Sequence, residues 1–285
     1  SDLDLTAATF RRADAPRGEG LPAVAAGRSG PPAYTQASQQ STGGKASQAP
    51  PSTGNQEPAA QARALIERAV VARGGLQRLT SLKTMIARDT EKLTGPEGQT
   101  RSVSTVTWVE YPNRVRVETT LPTYKLAQAF TGVFGWAEDP RGVHLMPEPV
   151  VAQLKASLAR DPASLLVAAS QGKLKMRMLA PTRDEADRPL QVLEVETSPG
   201  DPTIVYFDAD ARVVRLSYSG AATGAERPLI EERFSDFRAV DGLQVAFRVN
   251  VLRGGKPLME RALTSVEVNP DVPFRTFLPP RPPKP

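Results

Sequence analysis

Residues 231–270 read EERFSDFRAVDGLQVAFRVNVLRGGKPLMERALTSVEVNP, and they decide the fold. Apolar and polar residues alternate there with period two, the spacing of a strand that buries one face, and the runs break at Asp241-Gly242 and Gly254-Gly255. Both dipeptides suit the left-handed backbone of a tight hairpin. The stretch therefore predicts antiparallel strands near 228–238, 243–252 and 257–268, because parallel neighbours would need a crossover helix between each pair. Upstream, the same period places strands near 173–179, 189–198, 203–208 and 212–219, joined at Pro199-Gly200 and Asp208-Ala209-Asp210. Further upstream it gives strands near 84–93, 101–111, 114–121, 127–137 and 142–146, punctuated by Gly95-Pro96, Pro112-Asn113 and Asp139-Pro140.

Helical spacing interrupts this pattern. An opening helix after Pro58 carries Leu65, Ile66, Ala69, Val70 and Arg73 and stops at Gly74-Gly75, a pair suited to a left-handed cap; Leu76, Leu79 and Leu82 then lead into the first strand. Two short helices follow the fifth strand. One spans about 148–160 with Val151, Leu154 and Leu158 on one side, and the other about 162–170 with Leu165, Leu166 and Ala169. A long antiparallel sheet twists and coils, so the predicted fold class is α+β: a strongly curved antiparallel sheet, or half-barrel, with a few helices in its concave side.

Outside that domain the composition changes. From Pro31 to Ala60 there is no Val, Ile, Leu, Met, Phe or Trp, so nothing there offsets the entropy of ordering the backbone. The expected division is a stub or tail over 1–30, a Ser/Gln/Pro-rich linker over 31–58, the half-barrel over 59–278 and a Pro-rich tail over 279–285. Residues 2–10 are compatible either with a tail or with a strand that completes an upstream domain or a partner's sheet edge. The start at Ser1, without a basic, apolar and small-residue leader, reads as a mature exported product or a piece of something longer. At the other end Pro270 should close the last strand by Asn269, and Phe274, Phe277 and Leu278 should fold back over one end of the half-barrel near the opening helix.

Composition excludes several kinds of chemistry. The chain of 285 residues has no Cys and one His, so thiolate nucleophiles, imidazole dyads and triads, and Cys- or His-rich metal sites are ruled out. No Ser occupies a G-x-S-x-G turn, and no helix carries paired histidines. His144 falls in a strand beside Leu145-Met146. Glu231 and Glu232 are adjacent in a strand and point to opposite faces, while Asp208 and Asp210 sit where a hairpin turn is required rather than a calcium loop. The Gly-Gly-Lys runs at 43–45 and 254–256 lack the setting of a phosphate loop. Neither an enzyme nor a cofactor is therefore expected.

The net charge of +5 is spread along the chain, with basic residues alternating with acidic or apolar ones as in Arg114, Arg116 and Glu118, so no nucleic-acid partner is expected. No window reaches the roughly 18 apolar residues of a spanning helix. What remains is an apolar cavity. Trp108, Phe134, Trp136, Met146, Tyr206 and Tyr218 are large for strands flanking a helix group, as are Phe234, Phe247 and Met259. With Leu154, Leu158 and Leu165 from the helices, they form either a filled core or the lining of a pocket for an apolar ligand; both need the same inward-facing residues.

The run YFDADARVVRLSYSG at 206–220, followed by residues 231–270, resembles the closing strands of the LolA/LolB-like fold, the bacterial periplasmic lipoprotein-carrier superfamily. Similar too are the opening helix ending in Gly74-Gly75, the Gly135-Trp136 strand, the helices after Pro147, and Val268-Asn269-Pro270 followed by Phe274 and Phe277. The resemblance spans roughly residues 60–280 and is greater to the broad lipoprotein-sorting-like group than to the dedicated carriers, which lack the long N-terminal extension. It implies a periplasmic or cell-surface protein of non-enzymatic type, binding a lipid or lipidated peptide in the half-barrel. Domains of that group are also appended to larger exported proteins, insulinase-type zinc peptidases among them. The alternative is an interaction or scaffolding module of such a larger assembly, which would dock through the stub at residues 1–12 and keep a filled core.

Overall fold

The computed structural model describes residues 56–95, 97–198, 200–220 and 227–281. The stub at 1–30, with its docking residues 1–12, and nearly all of the linker lie outside them. Helix α1 runs Gln56–Arg73, so Gln56, Glu57 and Pro58 form its first turn, where the missing N–H of a proline breaks no bond. The helix ends on Gly74 and Gly75, with φ of 125° and 92°. A Cβ on Gly74 would lie 2.3 Å from the Gly242 carbonyl oxygen, so only glycine lets the helix end rest on that hairpin.

Helix α2 (Leu76–Ser81) follows, then β1 (Thr84–Thr94), β2 (Thr100–Glu110), β3 (Arg114–Thr120), β4 (Lys125–Phe130), β5 (Gly135–Asp139) and β6 (Gly142–Leu145). Helices α3 (Glu148–Arg160) and α4 (Pro162–Ser170) lead to β7 (Lys175–Arg183), β8 (Pro189–Ser198), β9 (Asp201–Phe207), β10 (Val213–Ser219), β11 (Leu229–Val240), β12 (Leu243–Arg253) and β13 (Lys256–Val268). All thirteen strands form one curved, unclosed antiparallel sheet in the order β6-β5-β4-β3-β2-β1-β13-β12-β11-β10-β9-β8-β7. Its two meanders meet where β1 pairs with β13, from Met85 opposite Val268 to Leu93 opposite Met259. The α3–α4 hairpin links the two free edges.

One expected strand divides. Residues 127–137 are the end of β4 and the start of β5, separated by a turn in which Thr131 Oγ1 accepts from the Val133 and Phe134 amides and Gly132 adopts φ of 94°. A side-chain hydroxyl that satisfies two amides competes directly with the ladder there.

The inner face carries the helices. Leu65, Ile66 and Ala69 of α1 and Leu165, Leu166 and Ala169 of α4 pack on Leu193, Val205, Leu216, Val245 and Phe247. Val151, Leu154 and Leu158 of α3 pack on Val115 and Phe130. Gly135 makes that approach possible, since a Cβ on it would lie 2.8 Å from Val151.

The closing segment does not sit near the opening helix. It crosses the outer face of β3–β5 as a strap: Trp136 Nε1 donates to the Phe277 carbonyl at 2.8 Å and Arg116 Nη1 to that of Thr276 at 3.0 Å. Phe277, in a short 3-10 turn at Phe274–Phe277, has no exposed surface. The reason lies in the register, which pairs Trp136 with Ala129 and Ala129 with Arg116, the row opposite in facing to Phe130 and Val115. That outer row buries Trp136 and Ala129 beside Arg116, and the strap covers them. Leu278 continues the strap, and Arg281 forms a surface ion pair with Glu138 at 3.0 Å; residues 282–285 lie outside the described ones.

Candidate functional site: an inner-face cavity

A cavity of about 580 Å³ opens between α2, the α3–α4 hairpin and the turn after β2. Two helix stripes form much of its wall: Lys155, Leu158 and Ala159 on α3, and Ala163, Ser164, Val167, Ala168 and Gln171 on α4. Leu79, Leu82, Tyr111, Pro112, Phe130 and Leu174 complete the apolar lining. The space exists because α4 presents alanines where a larger residue would close it.

The wall near Tyr111 is fixed by an internal polar anchor. Asp161 caps α4 by accepting from the Ala163 and Ser164 amides, each at 3.1 Å, and also accepts from the Tyr111 hydroxyl at 3.3 Å. Burial holds the Tyr111 phenol well above its ordinary range, and the Asp161 charge adds to this. Burial also lowers the Arg73 guanidinium, against attraction from Asp161 and Tyr111. The end of α1, the start of α4 and the β2–β3 turn are thus held in one arrangement. Ser164 Oγ, on the cavity wall, is buried and has no hydrogen-bond partner. The charged residues on the lining are Lys83, Lys155 and Lys173, with no carboxylate.

A second polar feature lies farther along the inner face, between the helix-covered core and a cluster containing Leu93, Val103, Tyr218, Val251 and Met259. Arg261 Nη2 donates to Glu91 Oε1 at 3.0 Å, and its Nε stands 4.0 Å from Asp89 Oδ2. Asp89 Oδ1 is buried without a partner. Burial pushes the Asp89 carboxyl up to about 7, against the pull of Arg261 and with a further push from Glu91. Nearby, the Tyr218 hydroxyl donates to Glu232 at 2.6 Å, and the Arg160 guanidinium covers the Tyr218 ring at 3.8 Å. Among the described residues no group of His, Cys, Asp and Glu is arranged to hold a metal ion.

The curved sheet, its strand order and this helix-lined cavity can be set beside solved structures. A LolA superfamily protein from Nitrosomonas europaea matches with a TM-score of 0.53 at 11% identity, over 76% of this chain and 96% of the other. A putative outer membrane lipoprotein-sorting protein domain from Vibrio parahaemolyticus matches at 0.51 and 12%, over 77% and 97%. A DUF1329 family protein from Desulfovibrio piger matches at 0.54 and 9%, over 77% and 97%. The fold is LolA-like. No protein-family model and no curated protein sequence matches the chain.

Within the LolA-like half-barrel the residues expected to line a pocket are scattered. Of these, Leu158 lines the cavity. Leu154 and Met146 pack in the α3 cluster, Leu165 and Phe247 in the main core, Tyr218 and Met259 in the far cluster, and Phe234 against both of the last two. Phe134 is partly exposed on the β4–β5 turn. Trp108 and Trp136 lie on the outer face, with the Arg116 guanidinium 5.6 Å and 5.4 Å from their rings. Tyr206 is on that face too, under Arg215. The small residues on the cavity wall, Ala159, Ala163 and Ala168, fall outside the pattern of large inward side chains. The signal for them is the alanine content of the two helix stripes.

Proposed function

We propose that this chain is a non-enzymatic, exported binding protein that takes an apolar ligand, a lipid or the acyl chain of a lipidated peptide, into the cavity between α2, α3 and α4. The observation that carries this reading is the unfilled, mostly apolar space between the helices of a half-barrel whose main inner cluster is buried side chains. Its volume lies within the range of ordinary small-molecule sites. Support comes from the LolA-like fold, shared with a domain described as lipoprotein-sorting, and that likeness favours a bacterial periplasmic or cell-surface location. No helix of the described residues is long and apolar enough to cross a membrane.

Titration with an environment-sensitive fatty-acid probe tests the proposal. Saturable binding is expected, and Ala168→Trp, which fills the cavity from its own wall, should weaken it at least tenfold while the circular dichroism spectrum is kept. Absence of saturable binding, or full binding by the filled variant, overturns it.

A further inference from the structure

We infer that the ligand of this cavity is an amphiphile with an anionic head, its chain in the apolar space and its charge held by Lys83, Lys155 and Lys173. The inference rests on the binding reading above and adds the chemistry of the head group. Its basis is the asymmetry of charge among the residues that line the cavity. The lining contains three ammonium groups and no carboxylate, although Asp and Glu nearly match Lys and Arg in the chain as a whole.

The neighbouring carboxylates do not neutralise those groups. Asp161 is committed to two amides, the Tyr111 hydroxyl and the attraction of Arg73. Glu148 approaches Lys155 only to 3.8 Å, with both side chains at least half exposed, a pair of little strength. Among the described residues, Lys83 and Lys173 have no ion pair.

The lysine geometry suits an amphiphile. Lys155 Nζ stands 5.2 Å from the centroid of Phe130, a lining ring, so its charge lies beside the apolar wall while half of its side chain stays exposed. An ammonium that remains hydrated attracts an anion without first losing its water. A neutral or cationic head would leave the lysine field unanswered or opposed.

The test compares ligands that share one chain and differ in head, each kept below its micelle concentration: dodecanoate, dodecyl phosphate, dodecanol and dodecyltrimethylammonium. Displacement of a fluorescent fatty-acid probe from the full chain reports the affinities. The anions should bind at least tenfold more tightly than dodecanol, and the cation more weakly still. Dodecyl phosphate ahead of dodecanoate would assign the head to a phosphate, and the reverse order to a free carboxylate. The triple substitution Lys83→Gln, Lys155→Gln and Lys173→Gln, on exposed or half-exposed side chains, should erase the preference while dodecanol binding is kept. Equal binding of all four heads, or a preference that survives the triple substitution, overturns the inference and leaves the cavity reading intact. Binding of none of them overturns the cavity reading itself.

Discussion

Asp89 is almost wholly buried on the inner face, with one carboxyl oxygen unpartnered and the other 4.0 Å from Arg261. Its pKa of about 7 in the native state lies above the ordinary carboxylate value of 3.8, so folding favours the protonated form. Below the unfolded pKa both states hold the proton and Asp89 imposes no penalty. As pH rises toward 7 the unfolded chain releases it and the native chain does not, so stability falls and the full penalty is present above about 7. Asp89→Asn removes this dependence. The variant should match the parent near pH 4 and exceed it by pH 8 by on the order of 4 kcal/mol, since each tenfold change in proton affinity is worth about 1.4 kcal/mol. Urea titrations at successive pH values check this; a variant-minus-parent difference that stays flat with pH would refute the assignment. Tyr218→Phe, at the neighbouring pair, should cost about 1–3 kcal/mol because it leaves Glu232 without its 2.6 Å donor.

At the scale of elements, the strap over the outer face behaves as core. Phe277 is fully buried and its carbonyl accepts from Trp136, away from the cavity lining, so Phe277→Ala should cost about 3–5 kcal/mol and leave probe affinity unchanged. Faster probe exchange in that variant would instead make the strap a plug. The two glycines ending α1 separate sterics from backbone strain. Gly75→Ala meets nothing within 4 Å and bears only the strain of its positive φ, about 1–3 kcal/mol, whereas Gly74→Ala also drives a Cβ into the Gly242 carbonyl and should be clearly worse in thermal melts. Period two and turn chemistry made nearly every strand legible, including the Asp208 turn, where Oδ1 accepts from the amides of Asp210 and Arg212. They could not say which face of β5 looks inward. A one-residue choice of register decides whether Trp136 meets the helices or the strap, and a lone aromatic is compatible with both. The cavity was illegible for a related reason: it is made by side chains that are small, and alanine on a helix is also simply a good helix former.

For the whole molecule the consequence is a conflict between packing and binding. The main inner core is closed by buried side chains, while the space between α2, α3 and α4 holds about 580 Å³ that the chain does not fill. An unfilled apolar space forfeits dispersion contacts and lowers stability, which a ligand restores by binding the native state alone. At a concentration 100 times its Kd a ligand adds about 2.7 kcal/mol, which for a domain of this size raises Tm by roughly 5–10 °C. Ala168→Trp supplies the missing contacts from within the chain. Without ligand it should melt a few degrees above the parent, since burying an aromatic side chain contributes about 2 kcal/mol, and dodecanoate should then shift it little. A parent that melts at the same temperature with and without saturating ligand would show that the space takes no apolar molecule. A filled variant that melts lower than the parent would show that the α3 and α4 stripes are already in contact there, and the stability of the half-barrel would then owe nothing to an occupant.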